Sequence, residues 1–434
     1  MNPSDEEKQR LSRRRFLASG LMAAAGAGLS AAPAAAAGTT DNAPPAANPS
    51  PANVVEPFWD KYQAGIITPV QKHTNMAAFD LTTSDRADVI QMLQAWTAAA
   101  ARMAQGQTAE PLGLDASGPA ADSGEALELS PARLTVTFGF GAGLFIKDGY
   151  DRYGLAAQRP AALVDLPKFT GDQLAETRTG GDLLVQACAD DPQVAFHAIR
   201  QLSRLAYDTA QIRWVQTGFT ADSKPGQTPR NLMGFKDGTN NPSVKDSQAM
   251  NQFIWVDQEG PEWMRNGSYV VVRRIRIALE HWDRMNLAFQ EQTVGRHKYS
   301  GVPLGGTKEF DKPDYDATDK DGNSIIPENA HIRLGSAETN GGAQILRRPY
   351  SYNDGANFTA ERWPPWRQEM EYDAGLLFLC YQRDPRTGFI KIFDKMSKFD
   401  MMNQFVTHTG GGLFACPGGV PTGGYIGQHL FEKA

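Results

Sequence analysis

The first half of the chain alternates short strand-like runs with longer segments of helical periodicity. From Arg133 to Phe138 every second residue is apolar, which is typical of a strand buried on one face. Between such runs, apolar residues recur at intervals of three and four, which predicts amphipathic helices. The predicted elements are a strand within 63–81, a helix from its cap Ser84 to about Met103, strands at 133–138 and 182–188, a helix at 191–205 and a strand at 210–217.

The second half repeats this order of elements without repeating the sequence. Apolar residues between Ser268 and Leu279 do not keep one alternation, so we expect a bulge near Arg273 and Arg274. Two successive β-α-β patterns with long connections predict an α+β fold of two ferredoxin-like domains with antiparallel sheets. The remaining predicted elements are strands at 253–256 and 268–279, a helix at 280–292, a polar loop at 295–329, strands at 343–352 and 374–381, a helix within 384–398 and a strand at 413–416.

Composition narrows the possible partners of this chain. Its 434 residues include 41% hydrophobic and 21% charged residues, enough for a packed core and for two domains. The formal net charge of -6 argues against binding to nucleic acid, which needs a basic surface, and gives no support for docking on an anionic membrane. Cys188, Cys380 and Cys416 lie in apolar runs, so we expect buried thiols rather than disulfides or zinc ligands.

The N-terminus resembles an export signal. Arg13-Arg14-Arg15 precede a mild apolar run that ends in Ala-x-Ala-like sites near residues 35–37. Pro33 and the low hydrophobicity of the run make a transmembrane anchor the weaker interpretation. We therefore predict a twin-arginine signal at 1–37 and a flexible linker at 38–58. Export of folded, cofactor-loaded proteins by this route favours a cofactor enzyme that works in the periplasm or elsewhere outside the inner membrane.

Three polar segments of the second half could carry chemistry. The loop from Gly234 to Pro242 is rich in glycine and has one carboxylate, Asp237, at its centre. The seven histidines lack the spacing of a zinc or non-haem iron site, but a single residue such as His331 could hold a haem iron. Arg347 and Arg348 lie within one predicted strand, so one of them points inward, where a charge must be paired or functional. On the pattern alone, an aspartate such as Asp237 usually caps its own turn and a histidine such as His331 is more often structural, so a haem site is the minority interpretation.

These segments together resemble the dye-decolourising peroxidases. Gly234-Phe235-Lys236-Asp237-Gly238 is similar to the Gly-x-x-Asp-Gly signature of that family, and His331-Ile332-Arg333 and Arg347-Arg348-x-Tyr-Ser-Tyr are similar to its axial histidine and distal arginine segments. Segments 295–304 and 407–414 fit as well, so the resemblance extends from Gln63 to Gly419. It implies a dimeric α+β barrel of two ferredoxin-like domains, expected at 59–225 and 226–434, with haem b bound in the second.

The resemblance also implies roles for individual residues. His331 would be the iron ligand, Asp237 would transfer a proton of hydrogen peroxide, and Arg347 would stabilise charge as the O–O bond breaks. Arg333 would pair with a haem propionate, and Gly238 and Arg296 are expected to bind the cofactor. Where relatives tend to carry a glutamate before the Thr-Gly-Gly-Gly stretch, this chain has an amide. Asp400 or an amide is therefore expected to accept the second N–H of the axial imidazole.

The functional hypothesis is an exported haem b peroxidase that reduces hydrogen peroxide, oxidises an organic reductant and is linked to iron uptake. The export signal points to a subgroup similar to the deferrochelatase/peroxidase of ferrous-iron uptake. One alternative is therefore the release of iron from haem with the porphyrin left intact. A non-catalytic haem or iron carrier and an oxidase with another metal are further alternatives. We also expect a homo-oligomer, specifically a dimer, possible contacts with iron-uptake components, and no nucleic-acid partner.

Overall fold

The computed structural model of the chain describes residues 53–113, 117–222, 227–357 and 371–432. They belong to one compact unit that spans Pro49–Ala434. The predicted signal at 1–37 and the predicted linker up to residue 52 lie outside the described residues. The end of that linker contacts the unit, because the carbonyl of Val54 accepts the amide of Arg133 and Phe58 is buried. None of the described helices combines the length and the apolar composition of a membrane span.

The first half contains the predicted elements, with small shifts at their ends, and one short helix at 142–145 that was not predicted. They are β1 (His73–Leu81), α1 (Arg86–Met103), β2 (Thr135–Phe140), α2 (Ala142–Phe145), β3 (Leu183–Ala189), α3 (Pro192–Leu205) and β4 (Ala210–Phe219). The cap of α1 is Asp85 and not Ser84, because the Asp85 carboxylate accepts the Ala87 amide at 2.7 Å. The carboxylate of Asp191 caps α3 in the same way, with Pro192 in the first helical position, where a missing N–H does no harm.

The second half departs further from the predicted elements. They are α4 (Ser247–Phe253), β5 (Ser268–Ile277), α5 (Leu279–Trp282), α6 (Leu287–Val294), α7 (His331–Leu334), β6 (Leu346–Arg347), β7 (Tyr350–Asn357), β8 (Glu371–Gln382), α8 (Phe389–Phe399), β9 (Val406–Cys416) and α9 (Gln428–Glu432). The strand predicted at 253–256 is wrong, because Asp246 caps a helix that ends there. The predicted bulge is confirmed by the shift in register between Arg274 and Ile275.

Two longer predicted elements are each split in the structure. The helix predicted at 280–292 is the pair α5 and α6, since Asn286 caps a new helix by accepting the Phe289 amide. The strand predicted at 343–352 is interrupted at Pro349, which has no N–H to donate to a neighbouring strand. As a result, β6 has only two residues, and one of them is Arg347.

The strands of the described residues form one antiparallel sheet that closes on itself. In the first half the spatial order is β4-β1-β3-β2, and in the second half it is β9-β5-β8-β7. Single residue pairs join the halves, Phe140 with Ala415 between β2 and β9, and Phe219 with Ser351 between β4 and β7. Because β5 also pairs with β8, these eight strands form a closed ring to which β6 is added alongside β8. The predicted antiparallel α+β fold is therefore confirmed.

The apolar core has two main parts. One lies between the sheet and helices α1 and α3, and the other fills the inside of the ring. All three cysteines are free and buried, as predicted. The prediction that Arg347 and Arg348 point to opposite sides is confirmed as well. Arg348 is buried and donates to the carbonyl of Thr68 and to the side-chain oxygen of Gln71, whereas Arg347 faces a cavity outside the ring.

Candidate active site

The second half contains a cavity of about 330 Å³ between the sheet and the long loops. His331, Asp237 and Arg347 all line it, although they come from α7, from the loop before α4 and from β6. The three side chains predicted to share a site are therefore brought together. Much of the wall is apolar, and its members include Ile275, Ile277, Val294, Leu376, Phe378 and Met396.

His331 is held by a buried carboxylate on one side of its ring. Its Nδ1 lies 2.7 Å from Oδ2 of Asp400, and the other Asp400 oxygen accepts the Met402 amide at 2.8 Å. Burial lowers the pKa of His331, but the attraction and the hydrogen bond of Asp400 outweigh it, so the pKa is raised above 6.5. Since Nδ1 is engaged and 35% of the side chain remains exposed at the cavity, Nε2 is the nitrogen available to a ligand.

The partner of His331 is thus Asp400 and not an amide. Asn403, the nearest amide considered from the sequence, donates instead to the carbonyls of Met396 and Ser397. A carboxylate in this place orients the ring and increases its basicity as a ligand.

Asp237 and Arg347 form an ion pair at the cavity. Nη1 of Arg347 lies 3.0 Å from Oδ1 of Asp237, across 110 residues of sequence. The amide of Asp237 donates to the carbonyl of Pro229, which ties the loop to its own start. Gly238 follows with a φ of 112°, in the left-handed region, where a side chain would be strained. This pair engages Oδ1, and among the described residues no hydrogen bond is recorded to Oδ2 of Asp237.

A carboxylate that the sequence did not single out supports this loop. Glu309, in the polar loop at 295–329, accepts hydrogen bonds from Lys236, Thr228 and Thr239, on both sides of Asp237. Burial raises the pKa of Glu309, but these donors outweigh it and hold the pKa below its usual value. One acid among many in a polar loop carries no sequence signal, so only the folded chain reveals it.

The two other predicted cofactor residues differ in placement. Arg296 lines the cavity, is buried, and donates to the carbonyls of Gly301 and Glu309 at 2.7 and 2.8 Å. Arg333 is not part of the cavity wall. Its guanidinium donates to the carbonyl of Ile326 at 3.1 Å and lies 5.8 Å from the ring centre of Tyr315. Arg333 lies two positions after His331 in the single turn of α7, and Tyr315, the ring beside its guanidinium, is itself one of the residues that line the cavity.

A second histidine, which no motif indicated, lies in the wall of the cavity. His408, on β9, packs on Phe393 with ring centres 4.6 Å apart. Burial, together with the nearby charge of Arg273, lowers the pKa of His408 to about 3, so the ring is neutral. Its Nδ1 is sealed from solvent without a hydrogen-bond partner. The strand was predicted only at 413–416, whereas β9 begins at Val406 and includes His408. The alternation of residues along the full strand is the signal that could have indicated His408.

The imidazole of His331 has a carboxylate partner, and it lines the same largely apolar cavity as the ion pair of Asp237 and Arg347. This is the arrangement of a haem-binding peroxidase. Comparison with models of known protein families shows which family of haem peroxidases this chain matches. The model of the Dyp-type peroxidase N-terminal part matches residues 63–220, and that of the C-terminal part matches residues 228–421. The chain belongs to the Dyp-type peroxidase family, and it is a haem-dependent enzyme.

Individual relatives agree with this assignment. The deferrochelatase of Escherichia coli K12 is 37% identical over 432 residues, which cover 97% of each chain. A DyP-type peroxidase from Streptomyces coelicolor is 41% identical, with a TM-score of 0.79 over 88% of this chain and 98% of that one. Ferric DtpA from Streptomyces lividans is also 41% identical, with a TM-score of 0.80 over 89% and 100%.

The residues of the cavity fit a haem. A flat macrocycle requires apolar walls, an accessible imidazole nitrogen as axial ligand and polar groups at its edge. The apolar wall, Nε2 of His331 and the guanidinium of Arg296 provide these features in one cavity. In this family the haem supplies the redox-active iron that takes up oxidising equivalents from peroxide.

Proposed function

We propose that His331 would hold the iron of haem b through Nε2 and that Asp237 and Arg347 would act on hydrogen peroxide at the same cavity. The observation that carries this proposal is the 3.0 Å pairing of Asp237 with Arg347 at the cavity lined by the Asp400-backed histidine. Asp400 holds the proton at Nδ1 of His331 and keeps Nε2 directed at the cofactor. Gly238 and Arg296 complete the cofactor site, through the shape of the loop and through charge.

Asp237 and Arg347 have separate tasks in this proposal. Oδ2 of Asp237 would take the proton from one oxygen of the peroxide and deliver it to the other, which leaves as water, while the haem, when bound, would supply the two electrons that the cleavage of the O–O bond requires. The guanidinium of Arg347 stabilises the negative charge that develops on the leaving oxygen as the O–O bond breaks. The apolar wall excludes water, which strengthens both interactions.

The test is a stopped-flow measurement of the reaction of the holoenzyme with hydrogen peroxide. We expect Asp237→Asn and Arg347→Ala each to lower the second-order rate constant by about 10²- to 10⁴-fold, with haem still bound. The control is Arg383→Ala, which breaks a similar pair with Glu259 at an exposed position and should leave the rate unchanged. Normal rates in both cavity variants would refute the proposed roles.

A second activity, removal of iron from haem with the porphyrin left intact, is supported by the full-length match to deferrochelatases. Incubation of the purified protein with haem and a reductant, followed by chromatography of the pigment, tests it. Metal-free porphyrin as the product supports this activity, and unchanged haem argues against it. An association with iron-uptake components remains an expectation from the sequence resemblance.

Export to the periplasm is supported by the Arg13-Arg14-Arg15 run and the apolar segment after it. Replacing both Arg13 and Arg14 by lysine should keep the protein in the cytoplasm, as measured by cell fractionation. Equal export of the variant and the original chain would argue against the twin-arginine route.

The proposal extends to the organisation of the chain as two ferredoxin-like domains, at 59–225 and 226–434. The equal strand order of the two halves, β4-β1-β3-β2 and β9-β5-β8-β7, supports it. A homodimer remains our expectation for the assembly, and light scattering of the holoenzyme tests it.

A further inference from the structure

Arg347 is attached to a strand that is too short to hold it alone. β6 contains only Leu346 and Arg347, and it pairs with β8 along one edge. The amide of Arg348 donates to the carbonyl of Leu379 at 2.9 Å, so position 348 is a hydrogen-bonded position of this antiparallel pair. In such a pair the neighbouring residue directs its N–H and C=O away from the partner strand. The backbone groups of Arg347 therefore need a partner on the other edge.

The side chain of Asn241 is that partner. Its Nδ2 donates to the carbonyl of Arg347 at 2.6 Å, and its Oδ1 accepts the amide of Arg347 at 3.1 Å. The side-chain carboxamide of Asn241 thus makes both hydrogen bonds that a neighbouring strand would make, across 106 residues of sequence. A carboxamide is the side chain with one donor and one acceptor in this fork, so neither Asp nor Ala can reproduce both bonds at neutral pH.

Asn241 also belongs to the loop that carries the proposed proton-transfer group. It lies four residues after Asp237, and its backbone N–H donates to the carbonyl of Gly238 at 3.2 Å. One amide group therefore connects the backbone of Arg347 to the turn that begins at Asp237. The distance between the carboxylate and the guanidinium depends on this connection as well as on their own 3.0 Å contact.

We propose that Asn241 is a positioning residue that sets the backbone of Arg347 relative to Asp237 before peroxide enters the cavity. This inference rests on the proposed roles of Asp237 and Arg347. A displacement of about 1 Å between catalytic groups lowers a rate by about 100-fold, so a loose Arg347 backbone would slow the reaction without loss of haem.

The experiment compares Asn241→Ala and Asn241→Asp with the original holoenzyme. Asn353→Ala is the matched control, since Asn353 also accepts a backbone amide, that of Gly355 at 3.0 Å, at an exposed position outside the cavity wall. Two quantities are measured: hydrogen exchange of the Arg347 amide, and the second-order rate constant with hydrogen peroxide. Melting temperature and the haem absorption spectrum show whether each variant is folded and loaded.

We expect Asn241→Ala to speed exchange of the Arg347 amide and to lower the rate constant by about 10- to 100-fold, with haem retained. Asn241→Asp keeps the acceptor for the amide but lacks the donor for the carbonyl, so exchange should stay slow while the rate falls. When the introduced carboxyl is protonated it can donate again. The ratio of the Asn241→Asp rate to the original rate should therefore rise as pH falls, which a merely structural role would not produce.

The outcomes separate this inference from the function it rests on. If Asp237→Asn and Arg347→Ala react slowly but both Asn241 variants react like Asn353→Ala, the positioning role is overturned and the proposed function stands. If Asp237→Asn and Arg347→Ala react normally, the proposed function itself fails. Should Asn241→Ala not fold, a pH-independent ratio for Asn241→Asp overturns the inference on its own.

Discussion

The two halves of the molecule have the same strand order but differ in what their connections carry. In the first half, residues 82–134 connect β1 to β2 and contribute α1, which packs on the sheet with an apolar face. In the second half, residues 278–345 connect β5 to β6 and contribute Arg296, Glu309 and His331 to the cavity or its support. The sheet thus provides a frame in both halves, and in the second half a long polar connection adds His331 and Arg296 to a cavity that Asp237 and Arg347 also line.

Each half also has a histidine beside carboxylates, and their surroundings differ. In the first half, Nε2 of His197 lies 3.4 Å from Asp122 and Nδ1 lies 3.2 Å from Glu125, with only 5% of the side chain exposed. Arg200 approaches the same Glu125 oxygen at 3.3 Å. Each ring nitrogen of His197 therefore lies near a carboxylate, and the ring itself is buried. His331 has one nitrogen at Asp400 and keeps the other accessible, so the lesson is that a carboxylate partner makes a ligand only when a cavity reaches the ring.

The largest expected effect is on haem affinity, and it distinguishes the two histidines. His331→Ala should weaken haem binding by more than the roughly 100-fold that loss of a supporting hydrogen bond produces, because it removes the ligand itself. His197→Ala, the matched change in the first half, should leave haem affinity unchanged. Titration of the two haem-free variants with haem, followed by absorption, measures both. Equal affinities would mean that the cavity holds haem without His331.

The next effect concerns the contact between the halves. Arg273 on β5 is paired with Asp172 of the first half at 2.8 Å, with only 1% and 2% of their side chains exposed. Asp172→Ala would leave a buried cation between the rings of Phe169 and Phe393 and should lower the free energy of unfolding by about 3 to 5 kcal/mol.

Urea unfolding of the holoenzyme measures this change. The exposed pair of Arg383 and Glu259 is the control, and Glu259→Ala should lower the free energy of unfolding by no more than about 1 kcal/mol. A small effect for Asp172→Ala as well would mean that this buried ion pair contributes little to the contact between the halves.

The smallest effect is a pH dependence that originates at the cavity. The pKa of His408 is lowered to about 3 in the folded chain, while an unfolded histidine titrates near pH 6.5. Its contribution to stability is therefore complete above about pH 6.5 and is lost as pH falls, because only the unfolded chain takes up the proton. Between pH 7 and pH 5 this loss amounts to about 2 kcal/mol.

His408→Phe removes this titration and keeps an aromatic ring on Phe393. The variant should therefore lose about 2 kcal/mol less stability than the original chain over the same pH interval, as measured by urea unfolding. Identical losses in the two proteins would show that the folded His408 is protonated at pH 5.

Much of the architecture and the centre of the site were predictable because their signals are local. The alternation of apolar and polar residues predicts strands in the first half. The interruption of that alternation predicts the bulge near Arg274. The motifs around His331, Asp237 and Arg347 named residues that do share a cavity. The predictions that failed, such as the strand at 253–256 and the cap at Ser84, lie where a neighbouring aspartate competes as a helix cap.

The amino-acid sequence by itself determined the order of elements, the buried cysteines and the residue types of the site, because periodicity, capping and motif spacing act over a few positions. Only the tertiary structure decided that Asn241 would bind the Arg347 backbone, that Glu309 would support the Asp237 loop, and that Arg333 would lie beside Tyr315. These contacts join segments that are separated in sequence. They depend on how the loops and strands of the second half pack together, which local patterns do not encode.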